Sequence, residues 1–305
     1  MTSLPRLRAG TRGSLLAWTQ AGWAADRLME RCPGLSLERV RIETRGDKDQ
    51  HTPLATLPGT GLFVKELEAA LLAGEVDLAI HSLKDVPFET APGCELHYLA
   101  REDARDALIG PHGSLEGLPQ GAHVGTGSPR RIAQLRHARP DLRFSDLRGN
   151  LDTRMRKLDE GQFDAIVLAC AGLKRLGWAG RISHRLDPDV CLPAFGQGIL
   201  ALECRSDRHD VSRILSEACD PAVGPCARAE RELMRALGGG CKLALAALAT
   251  VDGPTLILRG LVGDHHDGRV VRDRWEGSVA QSSEGARIVA ERLRAAAARE
   301  GIPLA

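Results

Sequence analysis

The chain has 305 residues, of which 43% are hydrophobic and 27% charged, with a formal net charge of +1. That length supports two or three domains with large cores, and the composition is that of an ordinary globular protein. Near-neutral charge excludes a general pull towards nucleic acid or membrane, no apolar run approaches bilayer length, and Met1–Arg12 lacks an apolar signal core.

The first chemistry-bearing loop, Thr11-Arg12-Gly13-Ser14, precedes a helix predicted over 15–29. A second amphipathic helix is expected over 62–73, followed by the apolar run Val76-Asp77-Leu78-Ala79-Ile80, which reads as a buried strand. His81-Ser82-Leu83-Lys84-Asp85-Val86-Pro87 leaves its carboxyl end, where open α/β sheets bind ligands, and Pro87 keeps it from continuing as a helix. The segment Gly74–Ile80 is echoed 87 residues later by Gly161–Val167, again after a helix (151–160) and before a loop with a lysine, Lys174. Two similar α/β lobes with a cleft between them account for the echo. Two connections, through Leu99–Asp103 and Leu192–Gly198, would hinge them, with a strand at 199–203 after the second.

Between the halves of the echo the charge is concentrated. Residues 128–157 carry nine Lys and Arg against three Asp, which suggests a specific anionic ligand within a neutral protein. In Val124-Gly125-Thr126-Gly127-Ser128-Pro129, Ser128 is placed as N-cap and Pro129 as first helical residue, followed by Arg130 and Arg131. Cations there oppose the helix dipole, and an anion on the exposed N–H groups would reverse the sign. Leu147–Arg154 repeats the design, with Asn150 as cap and Arg148 and Arg154 on either side. Arginine forks suit carboxylates or phosphates, whereas Gly125-Thr126-Gly127 lacks the third glycine of a dinucleotide loop and no Walker A run is present.

From about Asp220 the pattern changes. A helix over 221–237 runs into Gly238-Gly239-Gly240-Cys241, and three strands (243–250, 255–262, 269–276) and a helix over 283–299 follow. The glycines leave Cys241 uncrowded and Lys242 beside it favours the thiolate, although composition alone fits a buried cysteine in a turn better. The eight cysteines form no CxxC pair and no metal-like pairing with histidine. Most, such as Cys170 after an apolar run, read as small core residues of a reduced, cytoplasmic protein. His265 and His266 read as solvated turn residues with no third ligand near, so no metal is expected.

Taken together, Thr44–Asp47, Gly61–Glu68, His81–Pro87, Ser128–Arg131, Leu147–Arg154, Ala171–Gly177, Leu192–Gly198 and Gly239–Cys241, in that order, resemble the hydroxymethylbilane synthase (porphobilinogen deaminase) family over nearly the whole chain. The resemblance implies an α/β fold: two periplasmic-binding-protein-like, doubly wound lobes with a hinge, plus a small C-terminal α/β domain with a three-stranded antiparallel sheet. Its domains would be 1–99 with 199–217, 100–198 and 218–305. It implies a monomeric transferase that joins four porphobilinogen molecules to a dipyrromethane cofactor on Cys241. Ammonia is lost at each step, and hydrolysis then releases hydroxymethylbilane.

Carried over position by position, Asp85 is the catalytic residue, stabilising charge on the pyrrole nitrogen and moving protons. Lys84, Ser82, Ser128, Arg130, Arg131, Arg148 and Arg154 hold the cofactor. Arg12, Ser14, Arg148, Arg154, Arg175 and Gln197 hold substrate. The acetates and propionates of a growing pyrrole chain are what so many arginines would pair. This chain departs from the family where lysines are common ahead of Gly61, having Thr56 and Thr60 instead. Leu15 replaces a proline after Ser14, and no proline follows Cys241. A non-catalytic, two-lobed anion-binding protein would need the arginines and the hinge, but neither Asp85 nor Cys241. A nucleic-acid binder would draw only on 128–157, where Phe144 is the sole aromatic.

Overall fold

The computed structural model describes residues 6–44, 46, 64–239 and 243–304. In chain order the elements are β1 (Arg6–Arg12), α1 (Leu15–Arg31), β2 (Ser36–Ile42), α2 (Lys65–Leu72), β3 (Leu78–Ser82), β4 (Cys94–Arg101), β5 (Asp106–Ile109) and β6 (His123–Gly125). Then come α3 (Pro129–Ala138), β7 (Arg143–Ser145), α4 (Leu151–Asp159), β8 (Ala165–Ala169), α5 (Cys170–Arg175), β9 (His184–Arg185), β10 (Ile199–Arg205) and α6 (His209–Ala218). The last part holds α7 (Val223–Ala236), β11 (Ala244–Asp252), β12 (Thr255–Gly263), β13 (Val270–Ser278) and α8 (Ser282–Arg299).

Two compact units share the chain. Among the described residues, one comprises those up to Glu102 together with Ile199–Gly224, and the other joins Asp103–Gly198 to those from Pro225 onwards. The first unit holds a five-stranded sheet of order β2-β1-β3-β10-β4, and the second a five-stranded sheet of order β7-β6-β8-β5-β9. In each, the first three strands are parallel, and the fourth runs antiparallel to both its neighbours. Mixed sheets with helices between their parallel strands are the α/β class that the alternating pattern predicted.

The echoed segments occupy equivalent places. Gly74 and Gly161 have φ of 70° and 74°, the left-handed conformation that ends a helix without steric cost when the residue is glycine. Three residues on, Asp77 accepts from the Arg8 backbone N–H at 2.8 Å, and Asp164 accepts from that of His123 at 2.7 Å. Each aspartate thus fixes the entry of its strand against the central parallel partner. β3 begins at Leu78, directly after this clamp.

The core of the first unit follows from small residues on one helix face. Ala21, Ala24 and Leu28 of α1 are fully or nearly fully buried with Leu7, Leu78, Ile80, Leu200 and Leu202. The opposite sheet face buries Ala79 under Leu67, Ala70 and Leu71 of α2, so β3 is covered on both sides.

In the second unit β11, β12 and β13 form an antiparallel sheet whose first hairpin pairs Asp252 with Thr255. Gly253 (φ 54°) supplies the positive φ at the first turn position, and Pro254 at the second excludes the type I′ turn. Helices α7 and α8 cover one face of this sheet closely enough that a Cβ on Gly260 would lie 2.8 Å from Leu293 Cδ1 and 2.9 Å from Leu233 Cδ2. Gly260→Val should therefore overpack this layer and cost about 1–3 kcal/mol, measured as a lower denaturant midpoint; a midpoint equal to that of the parent would disprove the close approach.

Candidate functional site

In the first unit the structure gathers several of the expected residues around one small cavity of about 60 Å³, lined by Arg12, Ser14, Gln20, His81, Ser82 and Asp85 among others. Arg12 ends β1, and Ser14 caps α1 by accepting from the Ala17 N–H at 3.3 Å. Ser82 ends β3, and its hydroxyl exchanges hydrogen bonds of 3.2 and 3.3 Å with the Gln20 amide. Leu83–Asp85 then makes a single 3-10 turn, closed by Val86 N–H donating to the Leu83 carbonyl at 3.1 Å. A helical turn therefore does form, and Pro87 limits it to one turn rather than preventing it. Asp85 is exposed at its end, while Lys84, half-buried in the same turn, does not line the cavity.

Behind this wall lies a polar pair that sequence reasoning missed. His81 and Glu203, both buried, meet at 3.0 Å between His81 Nε2 and Glu203 Oε2. Register explains it: His81 pairs with Ala201 and Ala79 with Glu203, so the two side chains share a sheet face one step apart. Burial, and then the Glu203 charge, push the Glu68 carboxyl above its ordinary range.

In the second unit Ser128 caps α3 as expected, accepting from Arg131 N–H at 3.4 Å, with Pro129 first in the helix. The pair that follows turns inward from the helix start. Arg130 and Arg131 are buried and turned onto the carboxylate of Asp106, at the start of β5. Arg130 Nη1 donates to Asp106 Oδ2 at 2.7 Å and to the Leu192 carbonyl at 2.8 Å. Arg131 donates through Nε (3.0 Å) and Nη2 (2.7 Å) to Asp106 Oδ1, and through Nη1 to the Val167 carbonyl at 2.8 Å. Gln197 Nε2 adds a bond of 3.0 Å to the same Oδ1. Burial alone would raise the Asp106 pKa, but the two guanidinium charges outweigh it and hold the group well below the carboxylate range. Burial, and then Asp106, push the neighbouring Cys191 thiol up to about 12. One carboxylate against two arginines leaves the cluster with an excess positive charge.

The second arginine loop is held by its backbone. Gly149 (φ 106°) approaches Thr153 so closely that a Cβ would lie 2.7 Å from Thr153 Cγ2, which reserves the position for glycine. Arg154 Nε donates to the Gly149 carbonyl at 2.8 Å. Asn150 starts α4, but its side chain makes no capping bond, contrary to the expectation. Arg175, in the last turn of α5, donates to the Gly198 carbonyl at 2.6 Å. The Gly196–Gln197 loop is pinned by buried Glu230 of α7, which accepts from Gly196 N–H at 2.6 Å and from Ala249 N–H of β11 at 2.7 Å. Cys241, Thr56 and Thr60 lie outside the described residues.

Two readings of the metal-ligand types also change. Asp264 joins His265 and His266, so a third ligand does stand near that pair, and Glu95, His97 and Cys204 form a second group that includes a cysteine beside a histidine.

Comparison with known proteins adds the following. The chain matches the family model described as porphobilinogen deaminase, dipyromethane cofactor binding domain, over residues 7–213, and that of the porphobilinogen deaminase C-terminal domain over 225–295. It is 49% identical over 278 residues to a porphobilinogen deaminase of Syntrophotalea carbinolica, covering 90% of this chain and 88% of the relative. To that of Trichlorobacter lovleyi it is 46% identical, covering 95% and 94%. Among solved structures, the VFT2 domain of Bordetella pertussis BvgS is similar at 19% identity with a TM-score of 0.42, covering 70% of this chain and 86% of that one.

The Asp106 cluster makes a direct prediction. Asp106→Asn leaves two buried guanidinium groups without their counter-charge and should cost about 3–5 kcal/mol in denaturant unfolding. Because the folded pKa is depressed, this stability is fully present above about pH 4, the ordinary carboxylate range, and is lost as pH falls through the lower folded value. The gap between parent and variant should hold from neutral pH to mild acid and close only in strong acid; a gap that closes as pH rises would refute the assignment.

Proposed function

This chain belongs to the porphobilinogen deaminase family, and on that premise we propose which of its residues perform the reaction. The protein is a transferase of tetrapyrrole synthesis: four porphobilinogen molecules are condensed in turn, each losing ammonia, and the linear tetrapyrrole is released by hydrolysis. The alternative, a non-catalytic anion-binding protein, has no support from relatives that carry the enzyme's name along nearly their full length. Residues 7–213 match the family's cofactor-binding domain, and the dipyrromethane group supplies the primer to which substrate is joined.

The observation that carries the assignment of roles is the meeting of Asp85 with Arg12, Ser14 and Ser82 on one cavity. When ammonia leaves porphobilinogen, positive charge develops on the substrate's ring nitrogen. A carboxylate held at the end of a rigid turn stabilises that charge with little reorganisation, and an exposed one can also exchange protons. Arg12 and the Ser14 hydroxyl bind the substrate's carboxylates at the same wall. Ser82, tied to Gln20, keeps the base of the Asp85 turn in place.

The residues of the second unit fit an acidic cofactor and product. The excess positive charge around Asp106 is a buried charge that an anionic group would neutralise. Among the described residues Arg130 donates only through Nη1, so its Nε and Nη2 are the donors we assign to a cofactor carboxylate. Arg131, fully engaged, contributes charge rather than a bond. Ser128 and Lys84 complete the cofactor set. Arg148, Arg154 and Arg175 hold the acetates and propionates of the growing chain, with Gln197 fixed beside them through Asp106. Cys241 is the attachment point we assign, in a third domain over 218–305; the other two domains are 1–99 with 199–217 and 100–198.

Among the described residues no helix is long and apolar enough to cross a membrane. Cys32, Cys94, Cys170, Cys191, Cys204 and Cys219 are free thiols, which supports the reading of a cytoplasmic enzyme. We assign it as a monomer.

Two measurements test these roles. Asp85→Asn, folded by circular dichroism, should lose about 10²–10⁴-fold in kcat, the range for a positioned acid–base group; parental turnover in a folded variant would remove Asp85 from the mechanism. The denatured intact mass of the purified chain should exceed the sequence mass by two condensed pyrrole units, mapped to the peptide containing Cys241. A bare Cys241 after incubation with porphobilinogen, or an adduct on another cysteine, would refute the attachment.

A further inference from the structure

A second group of reactive side chains in the first unit takes no part in the chemistry above. Cys204 of β10 pairs directly with Glu95 of β4, and His97 lies two residues along β4 on the same face. Cys204 is fully buried there, and α6 covers this face with Ser212 and Ser216, four residues apart.

The potential ligand atoms of these three side chains all lie within 4.8 Å of one another. His97 Nε2 stands 3.3 Å from Glu95 Oε1, 3.8 Å from Cys204 Sγ and 3.4 Å from Ser212 Oγ, and Cys204 Sγ stands 3.8 Å from Glu95 Oε1. An imidazole nitrogen offers one proton or one lone pair, so it can satisfy only one of the three atoms around it. A cation among them would satisfy all. Zinc bond lengths of about 2.0–2.1 Å to nitrogen, 2.0–2.2 Å to carboxylate oxygen and 2.3 Å to sulfur put tetrahedral ligands roughly 3.4–3.6 Å apart. The observed edges require shifts of only a few tenths of an ångström.

The surroundings suit a metal in one further way. Ser216 Oγ lies 3.2 Å from His97 Nδ1, the outer contact that fixes the ring and leaves Nε2 directed at the ligand group.

We propose that Glu95, His97 and Cys204 form a binding site for one divalent transition metal of the zinc type, with Ser212 beside the fourth position. The carboxylate and the thiolate together cancel the cation's two charges, so the filled site is neutral, as suits the buried thiolate of Cys204. Binding displaces the Cys204 proton to solvent and forms a metal–sulfur bond with no change of oxidation state. The site joins the edge strand β4 to β10, so metal that binds only the folded chain stabilises it by mass action.

The test uses the full chain carrying its cofactor, treated with chelator and titrated with cobalt(II), whose thiolate charge-transfer and tetrahedral ligand-field bands report the ligands. One cobalt per chain with both bands is expected, displaced by zinc, together with an unfolding midpoint that rises with free metal. Cys204→Ala should abolish the thiolate band. His97→Gln should weaken binding by at least about 100-fold, more than loss of an outer partner costs. His265→Asn, in the turn group Asp264–His266, should change neither. A parent chain that binds no cobalt at micromolar concentration overturns the proposal, as do bands that persist in folded Cys204→Ala or move only with His265→Asn. Should Cys204→Ala fail to fold, half-buried His97→Gln decides alone: parental affinity in that variant overturns the site.

Discussion

A carboxylate with no exposure to water, Asp106, organises the second unit by accepting bonds from Arg130, Arg131 and Gln197 at once. An ionised carboxylate in such a place is tolerated only when its charge is matched and its lone pairs are filled. Here both conditions are met by side chains from separate parts of the chain: the first turn of α3 and the Leu192–Gly198 loop. The same arginines reach the Leu192 and Val167 carbonyls, so one ionic centre sets the positions of β5, β8, α3 and that loop together. The carboxylate-holding role we propose for these arginines needs cations that do not rearrange, and a buried counter-ion gives them that rigidity.

The first unit solves a related problem with hydrogen bonds rather than ion pairs. Gln20 reaches from α1 to Ser82, and Glu203 reaches from β10 to His81. Two successive residues of β3 are therefore held from opposite faces of the strand, immediately before the turn that ends in Asp85. Of the two, the His81–Glu203 pair is the more costly to disturb, because it is buried while Ser82 is only partly so.

What could be read from the sequence was what local chemistry decides. Ser14 and Ser128–Pro129 mark helix starts through bonds to N–H groups within three residues, and both occur as expected. The Gly74 and Gly161 echo was legible for the same reason, since a positive φ and an aspartate three residues later are short-range requirements. Asp106 was hidden because its partners lie 24 and 25 residues away in sequence, and no periodicity reports an ion pair. Glu203, 122 residues from His81, looked like the polar end of a strand. Arg130 and Arg131 were recognised as important, but their shared partner Asp106 was not. A helix start presents successive residues on different faces, and only the position of β5 shows that both side chains turn inward. Asn150 failed as a cap for a converse reason: its position was right, but residue type alone does not place the side-chain oxygen over the first N–H groups.

Two aspartates with opposite environments show how the fold divides the work. Asp106 is buried between guanidinium groups that depress its pKa, so it stays charged throughout the physiological range and cannot exchange a proton during a reaction. It serves as a fixed charge. Asp85 stands exposed at the end of a short turn with no ion pair to a described residue, where protons can reach and leave it through solvent. A carboxylate that must stabilise a transient cation and then accept or return a proton cannot be locked into an ion pair as Asp106 is, because each transfer would first have to break that pair. The exposure of Asp85 suits the catalytic role we propose for it, and the rigidity it lacks in side-chain contacts is supplied through the backbone of β3 and the turn that follows.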